Sequence, residues 1–115
     1  MTQEDKNLLL QDLCGRLPYG VKVKTNNINI LKLGTHTRVG EYVTDVIEPC
    51  KPYLFPLSSM TEEQKRDYQY ITERWMNDPT YTISDSFDWL HKNHFDYRNL
   101  INKNLAIDCT NLNIY

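Results

Sequence analysis

The first stretch of the chain carries apolar side chains at helical spacing. They recur every three or four positions, at Leu9, Leu10, Leu13, Cys14 and Leu17. This spacing predicts an amphipathic helix with one apolar stripe. Thr2 is suited to cap its N-terminus, and Pro18 cannot continue it, so we expect the helix to run from about Gln3 to Arg16.

The hydrophobic period then changes to two, which indicates β-strands. In "GVKVKTNNINILKLG", apolar and polar residues alternate on either side of Asn26-Asn27. Asparagine tolerates a positive φ, so the pattern predicts a tight hairpin there. It would place Val21 and Val23 on one buried face with Ile28 and Ile30. The next apolar residues, 31 and 33, fall out of phase with this pattern. Either a bulge intervenes in the second strand, or both faces of the sheet are partly covered near that end.

Two further segments continue this half of the chain. Residues 37–49, "TRVGEYVTDVIEP", are rich in β-branched side chains and predict a third strand. Residues 48–60, "EPCKPYLFPLSSM", hold three prolines, which argue against a helix or a central strand. We expect this segment to be extended, with Tyr53, Leu54, Phe55 and Leu57 against the core.

The second half of the chain is predicted to be mainly helical. Residues 61–64, "TEEQ", form a capping box that opens a helix ended by Asp78-Pro79. Residues 82–94 predict a short third helix with Phe87, Leu90 and His94 on one stripe. Asp96 would cap a fourth short helix, closed by a left-handed residue at Asn104, and "LAID" would follow as an edge strand.

Together these segments predict an α+β fold. We expect a small antiparallel sheet of three or four strands, an N-terminal helix and a C-terminal helical half. A chain of 115 residues fits a single domain, 1–115. The start "MTQEDKN" does not resemble a signal peptide and no apolar run is long enough to span a bilayer, so we expect a cytoplasmic protein.

Charge and cysteine content narrow the classes of function. The formal net charge is −2, which gives no long-range attraction to nucleic acid or to an anionic membrane. The three cysteines, Cys14, Cys50 and Cys109, form no CxxC pair and read as free thiols, at least one of them buried. The sequence also lacks a Gly-rich phosphate loop, a GxSxG motif and a calcium loop.

One group of residues has the composition of a metal site. Asp88, His91 and His94 follow one another at intervals of three, and side chains at that spacing are neighbours on a helix. A divalent ion needs three or four ligands with supporting contacts, and HEXXH is absent. A metal-dependent enzyme is therefore a third hypothesis, while ordinary folding roles explain most of "HFDYRNLINKNLAID".

Basic residues suggest a second alternative. Lys22, Lys24, Lys32 and Arg38 would make a local positive face on the sheet, beside Tyr42. Such a face is typical of nucleic-acid binding, although the net charge of the whole chain argues against that function.

Aromatic residues are more numerous than one small core requires. There are eight tyrosines, two tryptophans and three phenylalanines. Tyrosine and tryptophan are favoured at protein interfaces, although half-buried positions at the rim of a core would also explain them. As candidate contact residues we take Tyr42, Tyr53, Tyr70, Tyr81 and Trp89.

Two stretches resemble a group of short phage proteins. "KPYLFPLSSMTEEQK" and "FDWLHKNHFDYRNLINKNLAID" are similar to segments of uncharacterised proteins from phages and integrated mobile elements of gut bacteria, over about residues 50–108. Asn99 and Asn104 stand where those proteins have glycines. The resemblance implies an accessory gene of a mobile element and transfers no catalytic residue.

These observations predict a non-enzymatic protein that binds another protein. The expected partner is a host or phage protein, in the cytoplasm of a bacterial host, with no cofactor and no membrane contact. Nucleic acid is the less favoured partner, and self-association stays open.

Overall fold

The computed structural model describes residues 2–25, 28–34, 50–77, 80 and 83–115 of the chain. In these ranges it contains three α-helices, α1 Gln3–Arg16, α2 Glu62–Asn77 and α3 Ile83–Lys92. The strands are β1 Lys22–Lys24, β2 Leu31–Lys32, β3 Lys51–Pro56, β4 Phe95–Asp96 and β5 Ile107–Asp108. The predicted α+β class is confirmed, and the predicted third strand, residues 37–49, lies outside the described residues.

The strands form one mixed sheet in the order β2-β1-β3-β4, with β5 also paired to β3. β1 is antiparallel to both β2 and β3, whereas β4 and β5 run parallel to β3. The expected antiparallel sheet therefore accounts for only part of the structure. A parallel partner needs a long crossover connection, and the helices α2 and α3 provide it between β3 and β4.

The proline-rich segment is the centre of the sheet, so the prediction that it could not be a central strand is wrong. The Leu54 carbonyl accepts a hydrogen bond from Cys109 N–H at 3.0 Å, and Phe55 N–H donates to the His94 carbonyl at 2.8 Å. Consecutive residues direct their backbone groups to opposite edges, so β3 is paired along both edges. Pro52 and Pro56 are tolerated because neither of these bonds requires their missing N–H groups.

The hairpin register differs from the predicted one. Val23 lies opposite Leu31, so Leu31 and Leu33 take the core face of the second strand. Ile28 and Ile30, which we expected there, are 45% and 51% exposed. A shift of one residue exchanges the two faces of a strand, and only long-range packing fixes which face is buried.

Helix α1 has the predicted bounds and a capped start. Thr2 and Asp5 form a capping box. Leu9 and Leu13 of the predicted apolar stripe are buried, but the buried face is completed by Asp12 and Arg16. Leu10 and Cys14 lie outward because the helix turns its Asp12–Arg16 pair toward the body of the protein.

The core lies between α1 and the sheet. It includes Leu9, Leu13, Val21, Val23, Leu33, Cys50, Leu54, Leu100, Leu105 and Ala106. The predicted Thr61–Gln64 capping box is confirmed, with hydrogen bonds of 2.9 and 3.1 Å. Helix α2 packs chiefly on α3, and none of its described side chains is fully buried, so these two helices form a thin layer beside the sheet.

The segment after α3 is built from turns rather than a fourth α-helix. Both carboxylate oxygens of Asp96 accept backbone N–H groups, from Leu100 at 3.0 Å and Ile101 at 2.9 Å, as a capping residue would. Asn99 and Asn104 have positive φ angles of 63° and 60°, a conformation that asparagine tolerates better than most residues. The predicted edge strand at "LAID" is confirmed as β5.

Among the described residues, no helix combines the length and the apolar character needed to span a lipid bilayer.

Candidate functional site

The three residues considered for a metal site do not converge. His94 lies beyond the end of α3 with a left-handed φ of 61°, so the helical spacing that would align it with His91 is lost. His91 Nε2 is 2.6 Å from the Tyr97 hydroxyl, and Asp88 is exposed. No group of three or more His, Cys, Asp and Glu residues in the described part of the chain is arranged to hold a metal ion.

A buried polar network with a structural role lies next to His91, which it meets at the Tyr97 hydroxyl. Asp12 and Arg16 are fully buried and joined by hydrogen bonds of 2.7 and 3.2 Å, and Arg16 also donates to the Phe95 carbonyl at 2.6 Å. The Arg98 side chain reaches Asp12 at 3.3 Å and the Tyr97 hydroxyl at 3.3 Å. The network ties α1 to the segment after α3. It was not predicted, although Asp and Arg four residues apart on a helix are a pairing signal.

His94 belongs to a second contact, with Tyr115. Their rings are stacked at 3.6 Å between centroids. Burial, together with the positive charges of Arg16 and Lys22, lowers the pKa of His94 to about 4, so the ring is neutral at pH 7.

The Tyr115 hydroxyl is inserted between β1 and β3. It accepts a hydrogen bond from Lys22 N–H at 2.8 Å and donates one to the Tyr53 carbonyl at 2.8 Å. Continuing the register of Val23 with Pro52 would bring those two backbone groups together. The hydroxyl thus replaces a direct bond of the ladder, and burial raises its pKa above the ordinary tyrosine range. No local sequence signal marks this role.

The predicted aromatic contact residues are dispersed. Tyr53 is 6% exposed and its hydroxyl donates to the Asn29 carbonyl, so its assignment to an exposed interface is wrong. Tyr42 and Tyr81 lie outside the described residues. Tyr70 is 53% exposed on α2, where the Arg74 guanidinium lies over its ring, and Trp89 is half-buried on α3.

Trp89 opens onto a groove in the helical layer. This helical groove is a cavity of about 370 Å³ lined by Tyr19, Ile71, Asp85, Asp88, Trp89 and Lys92. Four of these residues are on α3 at spacings of three or four, so they share one face of that helix. Burial and the charge and hydrogen bond of the Asp88 carboxylate raise the pKa of Tyr19.

The walls of the groove are held in place by packing. The Trp89 ring is stacked on Phe95, with 5.7 Å between centroids and 12° between planes. Tyr68 packs against the same indole, with 5.4 Å between ring centroids. A rigid aromatic wall beside two carboxylates suits a cationic guest, since cations are attracted to both.

The lysines of the basic alternative do come together. Lys22 and Lys32 are paired across β1 and β2, and Lys24 follows on the same face of β1. Arg38 lies outside the described residues. Lys51, which was not among the predicted basic residues, pairs with Lys24 across β1 and β3.

The chain matches no model of a known protein family, and its comparison with curated proteins and with solved structures finds no significant match. The resemblance to phage and mobile-element proteins therefore stays a prediction.

Proposed function

We propose that this chain is a non-enzymatic protein that binds a segment of another protein in its helical groove. In keeping with the resemblance noted above, we take it to be an accessory factor of a phage or mobile element that acts on a host or phage protein in the bacterial cytoplasm. The observation that carries the proposal is the groove itself, in which aromatic walls and two carboxylates share one face of α3.

The chemistry of the groove favours a basic side chain of the partner. A lysine or arginine stem would pack along Ile71 and Trp89, and its charged end would reach Asp85 and Asp88. Lys92 at the same groove makes the local charge −1, which attracts one cation rather than several. Because Trp89 is already stacked on Phe95, binding would require little ordering of the site.

The layer that carries the groove has the features of a binding surface. None of the described side chains of helix α2 is fully buried, and two large ones are mostly exposed, Tyr70 at 53% and Met76 at 67%. Large side chains on a thin, exposed layer stabilise a monomer little and are available to a partner. By contrast, the polar cluster of Asp12, Arg16 and His91 is occupied by contacts within the fold, which supports binding over catalysis.

The test begins with a pull-down from bacterial lysate, with and without nuclease, read by mass spectrometry. The affinity of the recovered protein is then measured by calorimetry for the wild type and for the double variant Asp85→Asn/Asp88→Asn. These substitutions keep the size and polarity of both side chains but remove their charges. Asp67→Asn, at an exposed site on α2, is the matched control.

We expect a partner that is recovered in the presence of nuclease and binds at least tenfold more weakly to the double variant, since charge-assisted hydrogen bonds are worth about 1.5–3 kcal/mol each. The control should bind like the wild type. Equal affinity of wild type and double variant would refute the groove as the binding site.

A further inference from the structure

Four lysines share one face of the sheet. The register places Lys22 opposite Lys32 and Lys24 opposite Lys51, and alternate residues of β1 point the same way. Lys22, Lys24, Lys32 and Lys51 therefore form one surface, which we call the lysine face. The opposite face carries Val23 and Pro52, which are buried in the core.

This arrangement is unfavourable for the isolated protein. Like charges directly opposite each other on neighbouring strands destabilise a sheet. None of the ion pairs found among the described residues involves these four lysines. Within the described part of the chain, these two cross-strand lysine pairs therefore have no ion pair with a carboxylate that would offset their repulsion.

The four ammonium groups differ in what they contact. Lys22 donates to the Ile114 carbonyl at 2.7 Å and lies over the Tyr115 ring, and Lys51 donates to the Asn104 side chain at 3.0 Å. Lys24 and Lys32 are exposed, and neither ammonium group hydrogen-bonds to another described residue. The Lys32 side chain packs against Gly20. Its Cε atom is 2.7 Å from the position that a Cβ on Gly20 would occupy.

We infer that the lysine face is a binding site for the phosphate backbone of a nucleic acid. Neighbouring strands are about 4.8 Å apart, and alternate residues of one strand are separated by about 6.6 Å. The face therefore presents a compact grid of positive charges that a chain of phosphates can neutralise. This inference is independent of the helical groove.

The residue type supports phosphate over an acidic protein surface. Lysine is depleted in protein–protein interfaces, whereas it binds phosphate as a flexible point charge. The formal net charge of −2, which argued against nucleic acid, is a property of the whole chain. The register concentrates positive charge on one face, and a contact within about 8–10 Å responds to that local charge.

The experiment measures fluorescence anisotropy of a labelled 20-nucleotide DNA, single-stranded in one arm and as a duplex in the other, between 50 and 200 mM salt. Its variant is Lys24→Gln/Lys32→Gln. The matched control is Lys65→Gln/Arg66→Gln, which removes two charges from the exposed surface of α2. Poly-glutamate at equal charge is the competitor, and thermal unfolding is followed in parallel.

If Lys24, Lys32 and Lys51 each contact a phosphate, affinity for the single strand should fall about 20-fold over this salt range, and about 3-fold for the lysine-face variant. The salt dependence expected for a duplex is steeper, and the arm with the lower Kd at 50 mM salt identifies the preferred form. The lysine-face variant should also bind more weakly than the control at 50 mM salt while its Tm is equal to or above that of the wild type, because a repulsion is removed.

Salt-independent binding, no binding in either arm, or an equal loss in the control variant would overturn the inference. Displacement by poly-glutamate as efficient as by unlabelled DNA would reassign the face to acidic proteins. A lowered Tm in Lys24→Gln/Lys32→Gln would show that these lysines stabilise the sheet, contrary to the argument from their register.

Discussion

The substitution Asp12→Asn tests the buried polar network most directly. Asp12 accepts hydrogen bonds from Arg16 at 2.7 and 3.2 Å, and the Arg98 guanidinium lies 3.3 Å from it. Asparagine keeps the shape and one acceptor oxygen but removes the negative charge. Arg16, which is fully buried, would then lack an anionic partner, whereas Arg98, 25% exposed, can still reach water.

The expected loss of stability is large for a chain of this size. Removing one partner of a buried ion pair costs about 3–5 kcal/mol. The retained amide oxygen keeps part of the hydrogen bonding, so we expect about 3 kcal/mol. A domain of this size is stable by about 5–15 kcal/mol, so the loss is a substantial fraction of the total. The corresponding decrease in Tm is about 10–15 °C.

Urea unfolding followed by circular dichroism measures this effect. The midpoint should fall while the slope m stays constant, because the folded structure and the surface exposed on unfolding are retained. Asp67→Asn on α2 is the control and should change stability by less than about 0.5 kcal/mol. The double variant Asp12→Leu/Arg16→Met removes both charges together and should be more stable than Asp12→Asn.

A loss below about 1 kcal/mol for Asp12→Asn would refute the reasoning, since it would mean that Arg16 does not depend on this carboxylate. A double variant less stable than the single one would contradict the view that the uncompensated charge, rather than lost packing, causes the effect.

Three further predictions concern substitutions of single residues. Thr61→Ala removes the hydroxyl that caps α2 and should cost about 1 kcal/mol in urea unfolding, whereas Thr61→Ser should be close to neutral. The low folded-state pKa of His94, about 4 against an ordinary value of 6.5, means that its contribution is complete above pH 6.5 and is lost as pH falls to 4. His94→Gln should therefore flatten the dependence of stability on pH between pH 4 and 6.5; an unchanged slope would exclude His94 as its source. Gly15→Ala should destabilise the protein despite the better helix propensity of alanine, because its Cβ would lie 2.8 Å from the His91 ring, which Tyr97 holds in place; a gain in stability would show that the ring yields freely.

Local features of the fold were predictable where local interactions decide them. The bounds of α1, the Thr61–Gln64 capping box and the left-handed Asn104 all depend on residues within a few positions of one another. The periods of 3.6 and 2 likewise separated helical from extended segments, which was enough for the α+β class.

The candidate site was predictable in its residue types but not in its assembly. Lys22, Lys24 and Lys32 were recognised as basic, but the role of Lys51 depends on which strand lies beside β1. Asp88 and Trp89 were each considered, for a metal and for an interface, whereas the groove that joins them also needs Tyr19 from the segment that follows α1. Such combinations arise from packing between segments far apart in the chain.

The sequence by itself determined the bounds of α1, the capped start of α2, which segments are extended, and that the chain forms an α+β protein, because capping and periodicity act over one or two turns. Only the tertiary structure decided that the proline-rich β3 is central, that Asp12 and Arg16 are buried, and that the Tyr115 hydroxyl bridges β1 and β3. These features depend on strand register and on contacts between distant residues. The strength of each such contact depends on how deeply the contacting residues are buried and on their charges, and no local sequence pattern encodes either.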